Sequence, residues 1–196
     1  MVSRFELIQY LIDTLNYQRY LELGCRMTEF KKLSIDSVNC KHKDSVDVNR
    51  NGNNYVMTTD DFFKGLNESD KWDIIFIDAN HDKDYVKRDI ENSLKHLSAN
   101  GCIICHDVSP PEEKYLVKRF CSSAWETWAD LRATRNDLQM YVMPTSVDPV
   151  GVGVIRFGYQ ATYDTPIEYT WNFLNSNRTI LLNIVDIDTF KTTLNK

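Results

Sequence analysis

Six consecutive positions, residues 72–77 (WDIIFI), are almost wholly apolar and rich in isoleucine, the pattern of a parallel strand buried on both faces. A second apolar run, residues 102–105 (CIIC), follows the Asn100-Gly101 turn and closes on His106-Asp107, and Pro110-Pro111 bar its continuation. Between the two, Val86, Ile90, Leu94 and Leu97 recur at helical spacing, with Tyr85, Asp89, Asn92 and His96 marking the polar side. The block therefore reads strand, helix, strand. Asp78 ends the first strand, Asp107 the second, and His81 follows three residues after Asp78. In an open α/β sheet, ligands bind beyond the carboxyl ends of the strands, so this rim is placed for chemistry.

The same periodicities organise the rest of the chain. Ile8, Leu11, Ile12 and Leu15 predict a first helix, and residues 20–23 a strand that ends at Gly24. Residues 28–35 suit a short helix capped by Thr28. Residues 45–48 form a second strand closing on Asp47, NRNGNN (49–54) a loop, and 55–58 a third strand. Thr59 or Asp60 then caps a helix carrying Phe62, Phe63 and Leu66. Helices are predicted over 112–121 and 125–132, with Leu116, Phe120, Trp128 and Leu131 inward, and strands over 138–143 and 150–157. The short loop between those strands makes an antiparallel hairpin at the sheet edge. Terminal helices are expected over 167–174 and 179–190.

Strands alternating with helices at this spacing give an α/β fold: a single Rossmann-like, doubly wound sheet of about seven strands, mostly parallel, with an antiparallel last strand. The expected organisation is one domain over 1–196, with an N-terminal helix (1–19), an α/β core (20–158) and a C-terminal helical extension (159–196). A hydrophobic content of 42% supports one full core at this length. The net charge of −5 offers no global field for a polyanion, so nucleic acid is not the expected partner. The N-terminal pattern carries acidic residues and lacks a small-residue cleavage site, and no run reaches membrane-spanning length, so a cytoplasmic protein is expected. Cys102 and Cys105 are offset by three within a strand and should face opposite sides, so redox or zinc pairing is not expected of them. His42 and His96 read as surface residues, and Trp125, Trp128 and Trp171 as core.

Three further positions carry candidate chemistry. In YLELGC (20–25), Glu22 and then Gly24 enter the turn after the first strand, and Gly24 lets a ligand approach the backbone closely. Asp47, ending the second strand 25 residues after Glu22, can accept hydrogen bonds from both hydroxyls of a ribose. Thr59-Asp60 follow the third strand. The turn after the first strand has no G-x-G-x-x-G, which argues against a nicotinamide-dependent oxidoreductase.

Five βα units followed by a hairpin resemble class I S-adenosylmethionine-dependent methyltransferases. The resemblance is densest where the chain reads Y-V-M-T-x-D-x-F-F, D-I-I-F-I-D-x-x-H, V-x-x-D-I and G-x-I-x-x-H-D, from Tyr55 to Asp107, and extends weakly to GVGVIRFG and the C-terminal segment. The pattern is similar to uncharacterised methyltransferase-like proteins associated with glycan synthesis, and to metal-dependent O-methyltransferases of sugar hydroxyls, including the macrocin type. The resemblance implies S-adenosylmethionine as cofactor, held by Glu22, Gly24, Asp47, Thr59, Asp60 and Asp78, and a glycan or other small hydroxyl acceptor. It also implies His81 as base beside Asp78, and Asp78 and Asp107 as ligands of a divalent ion such as magnesium.

Two departures stand out. Arg26, Met27 and Thr28 occupy the place of the family's second glycine, and His106 stands where the metal-binding relatives carry a second carboxylate. The first leaves a non-catalytic binding or scaffold protein as the competing expectation. The second leaves open a metal softer than magnesium or no metal. The length leaves little room for a lid domain, so the acceptor site is either open or completed by a second subunit in a homo-oligomer.

Overall fold

In the computed structural model, residues 3–27, 32–50, 52–144, 147 and 149–194 are described. Their apolar runs become seven strands: β1 (Arg19–Leu23), β2 (His42–Asp47), β3 (Tyr55–Val56), β4 (Trp72–Ile77), β5 (Leu97–His106), β6 (Leu138–Met143) and β7 (Val152–Phe157). Six α-helices accompany them: α1 (Arg4–Leu15), α2 (Thr59–Lys64), α3 (Lys83–Lys95), α4 (Ala124–Thr134), α5 (Trp171–Leu181) and α6 (Ile187–Thr193). The strands form one sheet in the order β3-β2-β1-β4-β5-β7-β6. The pairs β1–β2, β2–β3, β1–β4 and β4–β5 are parallel, while β7 runs antiparallel to both β5 and β6. Strand order reverses between β1 and β4, and a crevice opens at such a switch point.

Alternation along the strands feeds two cores. On β4, Ile75 and Ile77 pack with α2, α3, α4 and α5, whereas Ile74 and Phe76 pack with α1 and α6. Cys102 and Cys105 fall into opposite cores, as their offset requires, and both are free thiols. Trp125 and Trp128 are buried, and Trp171 is packed against the core at its edge. Among the described residues, no helix is long and apolar enough to cross a membrane.

Several expected elements differ. The side chain that caps α2 is Thr58, not Thr59 or Asp60: its hydroxyl accepts from Asp61 N at 3.1 Å. This shortens β3 and leaves Thr59 and Asp60 in the first helical turn. Residues 112–121 hold only one 3-10 turn (Glu113–Tyr115), because Val117 and Phe120 are exposed and no apolar stripe is buried to sustain an α-helix. After β1 the described residues form no α-helix either: Met27 bridges to Leu33, and Ser34–Ser37 is a 3-10 turn, while Thr28 lies outside the described residues. At the C-terminus the break falls after Leu181, where Asn183 takes φ 52° and residues 183–185 bond Val142, covering the free edge of β6. His96 is buried rather than on the surface, since it ends α3 with its ring stacked on Phe63 and Nδ1 bonded to the Asp70 carbonyl at 2.8 Å. Asp89, read as part of the polar side of α3, is also buried, because α2 packs there.

Candidate active site

The carboxyl ends of β1, β2, β3 and β4 border one cavity of about 590 Å³, a size typical of small-ligand sites. Gly24, Asp47, Thr59, Asp60, Asp78 and His81 all line it; Glu22 and Asp107 do not. Gly24 forms the floor at the switch point. Its φ of 86° suits glycine, and a Cβ there would lie 2.2 Å from the Asp78 carbonyl oxygen. The crevice is therefore floored by bare backbone.

Asp47 is half-buried at the end of β2 and fixed by an Asx turn, in which Oδ1 accepts from Asn49 N at 2.7 Å and Asn49 Nδ2 at 2.9 Å. At the far end, Asp60 accepts from Arg88 Nε with both oxygens at 3.3 Å, and the guanidinium lies 4.4 Å from the Tyr85 ring centroid. Tyr85 and Arg88 complete the lining there. Beneath them burial pushes the Asp89 carboxyl up to about 6, although a Thr59 hydrogen bond works in the opposite direction.

Glu22 is fully buried on the α1 side of β1. Tyr20 Oη donates to one of its oxygens at 2.7 Å and the Ser34 hydroxyl donates to the other. Burial raises its pKa to about 7, and these two bonds offset only part of the rise.

The ends of β4 and β5 bring four groups together. His81 Nε2 lies 3.3 Å from Asp78 Oδ1 and 3.2 Å from Asp107 Oδ2; His106 Nδ1 lies 3.3 Å and 2.9 Å from the same atoms. Asp107 turns its carboxylate inward through a left-handed backbone, φ 61°, and Cys121 Sγ sits 3.5 Å from its other oxygen. His106 Nε2 meets Arg4 Nη1 at 3.4 Å, so the first turn of α1 also reaches this rim.

Burial by itself would raise the Asp78 carboxyl. The charge and hydrogen bond of His106, the bond to His81 and the charge of Arg4 overcome it and hold Asp78 well below the usual carboxylate range. Burial likewise depresses His81, but the hydrogen bond to Asp78, the charges of Asp107 and Asp78 and the bond to the Phe120 carbonyl leave it raised. Because that carbonyl can only accept, Nδ1 of His81, 2.5 Å away, carries a proton. Nε2 then faces two carboxylates. Among the described residues, ligand atoms of Asp78, His81 and Asp107 lie within 4.8 Å of one another, close enough to share one cation.

Arg26, Tyr85 and Arg88 also line the cavity, though the sequence named none of them as a site residue. Tyr85 and Arg88 had a signal, since they lie three apart on a helix that leaves the β4 rim. Arg4 had none, because 102 residues separate it from His106.

Residues 21–108 match the family model described as a methyltransferase domain, and this segment runs from within β1 to just beyond β5. No curated protein matches the chain. Similar solved structures include the O-methyltransferase from Bacillus cereus in complex with SAH, at 17% identity and TM-score 0.59, covering 81% of this chain and 83% of that one. The SAH-bound methyltransferase PaMTH1 from Podospora anserina is similar at 18% identity and TM-score 0.54, covering 81% and 80%. The SAM complex of O-methyltransferase TomG from Streptomyces achromogenes, involved in tomaymycin synthesis, is similar at 15% and 0.52, covering 80% and 81%. The fold is that of the class I methyltransferases. The part of the chain that builds the crevice is the part that matches a methyltransferase domain.

Proposed function

We propose that the protein transfers the methyl group of S-adenosylmethionine to a hydroxyl of a small acceptor, with a sugar or glycan intermediate as the acceptor class. The observation that carries this reading is the single cavity running from Gly24, past Asp47, to Asp60, with Asp78 and His81 on its wall. The residues fit the cofactor: bare backbone at Gly24 admits its amino-acid end, Asp47 accepts from the ribose hydroxyls, and Thr59 and Asp60 border the adenine. Glu22 acts from below, as a buried support of the β1 turn. The cofactor supplies an electrophilic methyl carbon on sulfur.

Methyl transfer to oxygen is an in-line displacement, so the protein's tasks are alignment and removal of the hydroxyl proton. His81 is the base. Nδ1–H is held by the Phe120 carbonyl, which orients the ring, and Nε2, which faces Asp78 and Asp107, takes the acceptor's proton when the ring is neutral. Asp78 and Asp107 stabilise the imidazolium that forms.

The same pair fits a divalent ion, which when bound would lower the acceptor hydroxyl's pKa. Two carboxylates flanked by imidazoles suit a first-row transition ion better than magnesium, which prefers an all-oxygen set.

The scaffold reading retains one specific observation, the lack of a second glycine after Gly24 and of an α-helix there among the described residues. Thermal unfolding with S-adenosylhomocysteine tests the cofactor half. At a hundred times Kd the midpoint should rise by about 5–10 °C, and no shift at saturating ligand would sink the proposal. Label transfer from methyl-labelled S-adenosylmethionine to a panel of sugar-nucleotide and phenolic acceptors, with and without manganese, then tests turnover. Ligand binding with no transfer to any acceptor favours the scaffold.

A further inference from the structure

In sheets of this type, a glycine-rich turn and the following helix N-terminus present backbone N–H groups to the anionic part of the ligand. Here both are missing among the described residues: the chain leaves Gly24 and folds back to pair Met27 with Leu33, and only a 3-10 turn follows. Among the described residues, no α-helix N-terminus follows Gly24 to present its dipole to the cofactor's carboxylate.

Arg26 lines the cavity beside Gly24 and Asp78. Its backbone is pinned on both sides, with N donating to Ser34 Oγ at 3.3 Å and its carbonyl accepting from Ser34 N at 2.9 Å. The preceding residue is anchored too, as Cys25 O accepts from Asn53 Nδ2 at 3.1 Å. The root of the side chain is thus fixed while its head is exposed.

The other charged groups on the wall are already engaged. Arg88 bonds Asp60, Asp47 is held by Asn49, and Asp78 is held by His81 and His106. Arg26 has no ion pair among the described residues, which leaves it as the cation available to an incoming anion.

We infer that Arg26 binds the carboxylate of the cofactor's amino-acid part, doing with a guanidinium what a glycine turn and helix N-terminus do elsewhere. This rests on the cofactor reading above. A guanidinium–carboxylate contact is charge-assisted and directional, so it replaces several backbone donors with one side chain.

The test is calorimetric. Wild type, R26A and R26K are titrated with S-adenosylhomocysteine and with its decarboxylated amine analogue, which keeps the adenosine, sulfur and ammonium. Wild type should prefer S-adenosylhomocysteine by about 10- to 100-fold. R26A should lose that preference while binding the analogue as wild type does, and R26K should recover part of it. No preference in wild type, or an unchanged preference in R26A, overturns the assignment while leaving the cofactor reading intact. A wild-type protein that binds neither compound overturns both.

Discussion

The cluster at the ends of β4 and β5, which meets the crevice through Asp78 and His81, and the loop leaving β1, which meets it through Arg26, are built in opposite ways. At the β4–β5 rim, Asp78, His106 and Asp107 are nearly enclosed, and each is tied to at least two neighbours. In the β1 loop, Arg26 and Met27 are exposed, and only the backbone is held, through Ser34 and Asn53. Enclosure strengthens every charge interaction at the rim and fixes the direction of each proton. Exposure leaves the Arg26 side chain accessible to a ligand. The rim is suited to chemistry and the loop to ligand capture, so substitutions in the two should fail differently.

The largest effect should come from the rim. Asp78→Asn removes the carboxylate that both histidines address, and kcat is expected to fall by about 10³-fold in steady-state assays. A fall below tenfold would erase the distinction between the two regions. Gly24→Ala strikes where they meet, since its Cβ would overlap the Asp78 carbonyl and the backbone lies at positive φ. It should lower stability by about 2–4 kcal/mol in urea unfolding and abolish cofactor binding together. Stability kept with binding lost would show that the loop can yield to the clash.

Glu22 lies beneath both regions and gives a smaller, pH-dependent effect. Its folded pKa of about 7 stands above the ordinary 4.5, so the folded state holds the proton more tightly. The stability this contributes is fully present below the unfolded pKa and is lost as pH rises through the folded one. Glu22→Gln should therefore match wild type near pH 4 and exceed it by about 3 kcal/mol at pH 8.5 in urea unfolding. Equal curves at both pH values would mean that Tyr20 and Ser34 carry the buried charge at no cost.

How much could be read from the sequence followed the range of the interactions. Residues 72–77 and 138–143 became β4 and β6 within the same bounds, since burial on a sheet writes itself into local apolar runs. Gly24, Asp47, Asp78 and Asp107 were legible because each follows directly from where its strand ends. Thr58 was missed as the cap because three adjacent residues, Thr58, Thr59 and Asp60, all carry capping side chains. His96 and Asp89 were misplaced because their burial depends on α2 packing against α3, which periodicity in α3 alone does not encode. Residues 112–121 alternate apolar and charged groups well enough to suggest a helix, yet the sheet offers them no surface to cover. The partners that set the rim's electrostatics, Arg4 with His106 and Cys121 with Asp107, come from segments far apart in the chain.

The central claim is that the cavity from Gly24 to Asp60 holds S-adenosylmethionine with its ribose on Asp47, and calorimetric titration with S-adenosylhomocysteine tests it most directly. Wild type should bind one equivalent, and Asp47→Ala should weaken that binding by about tenfold or more. No heat at about 1 mM ligand, or equal binding by Asp47→Ala, would contradict it.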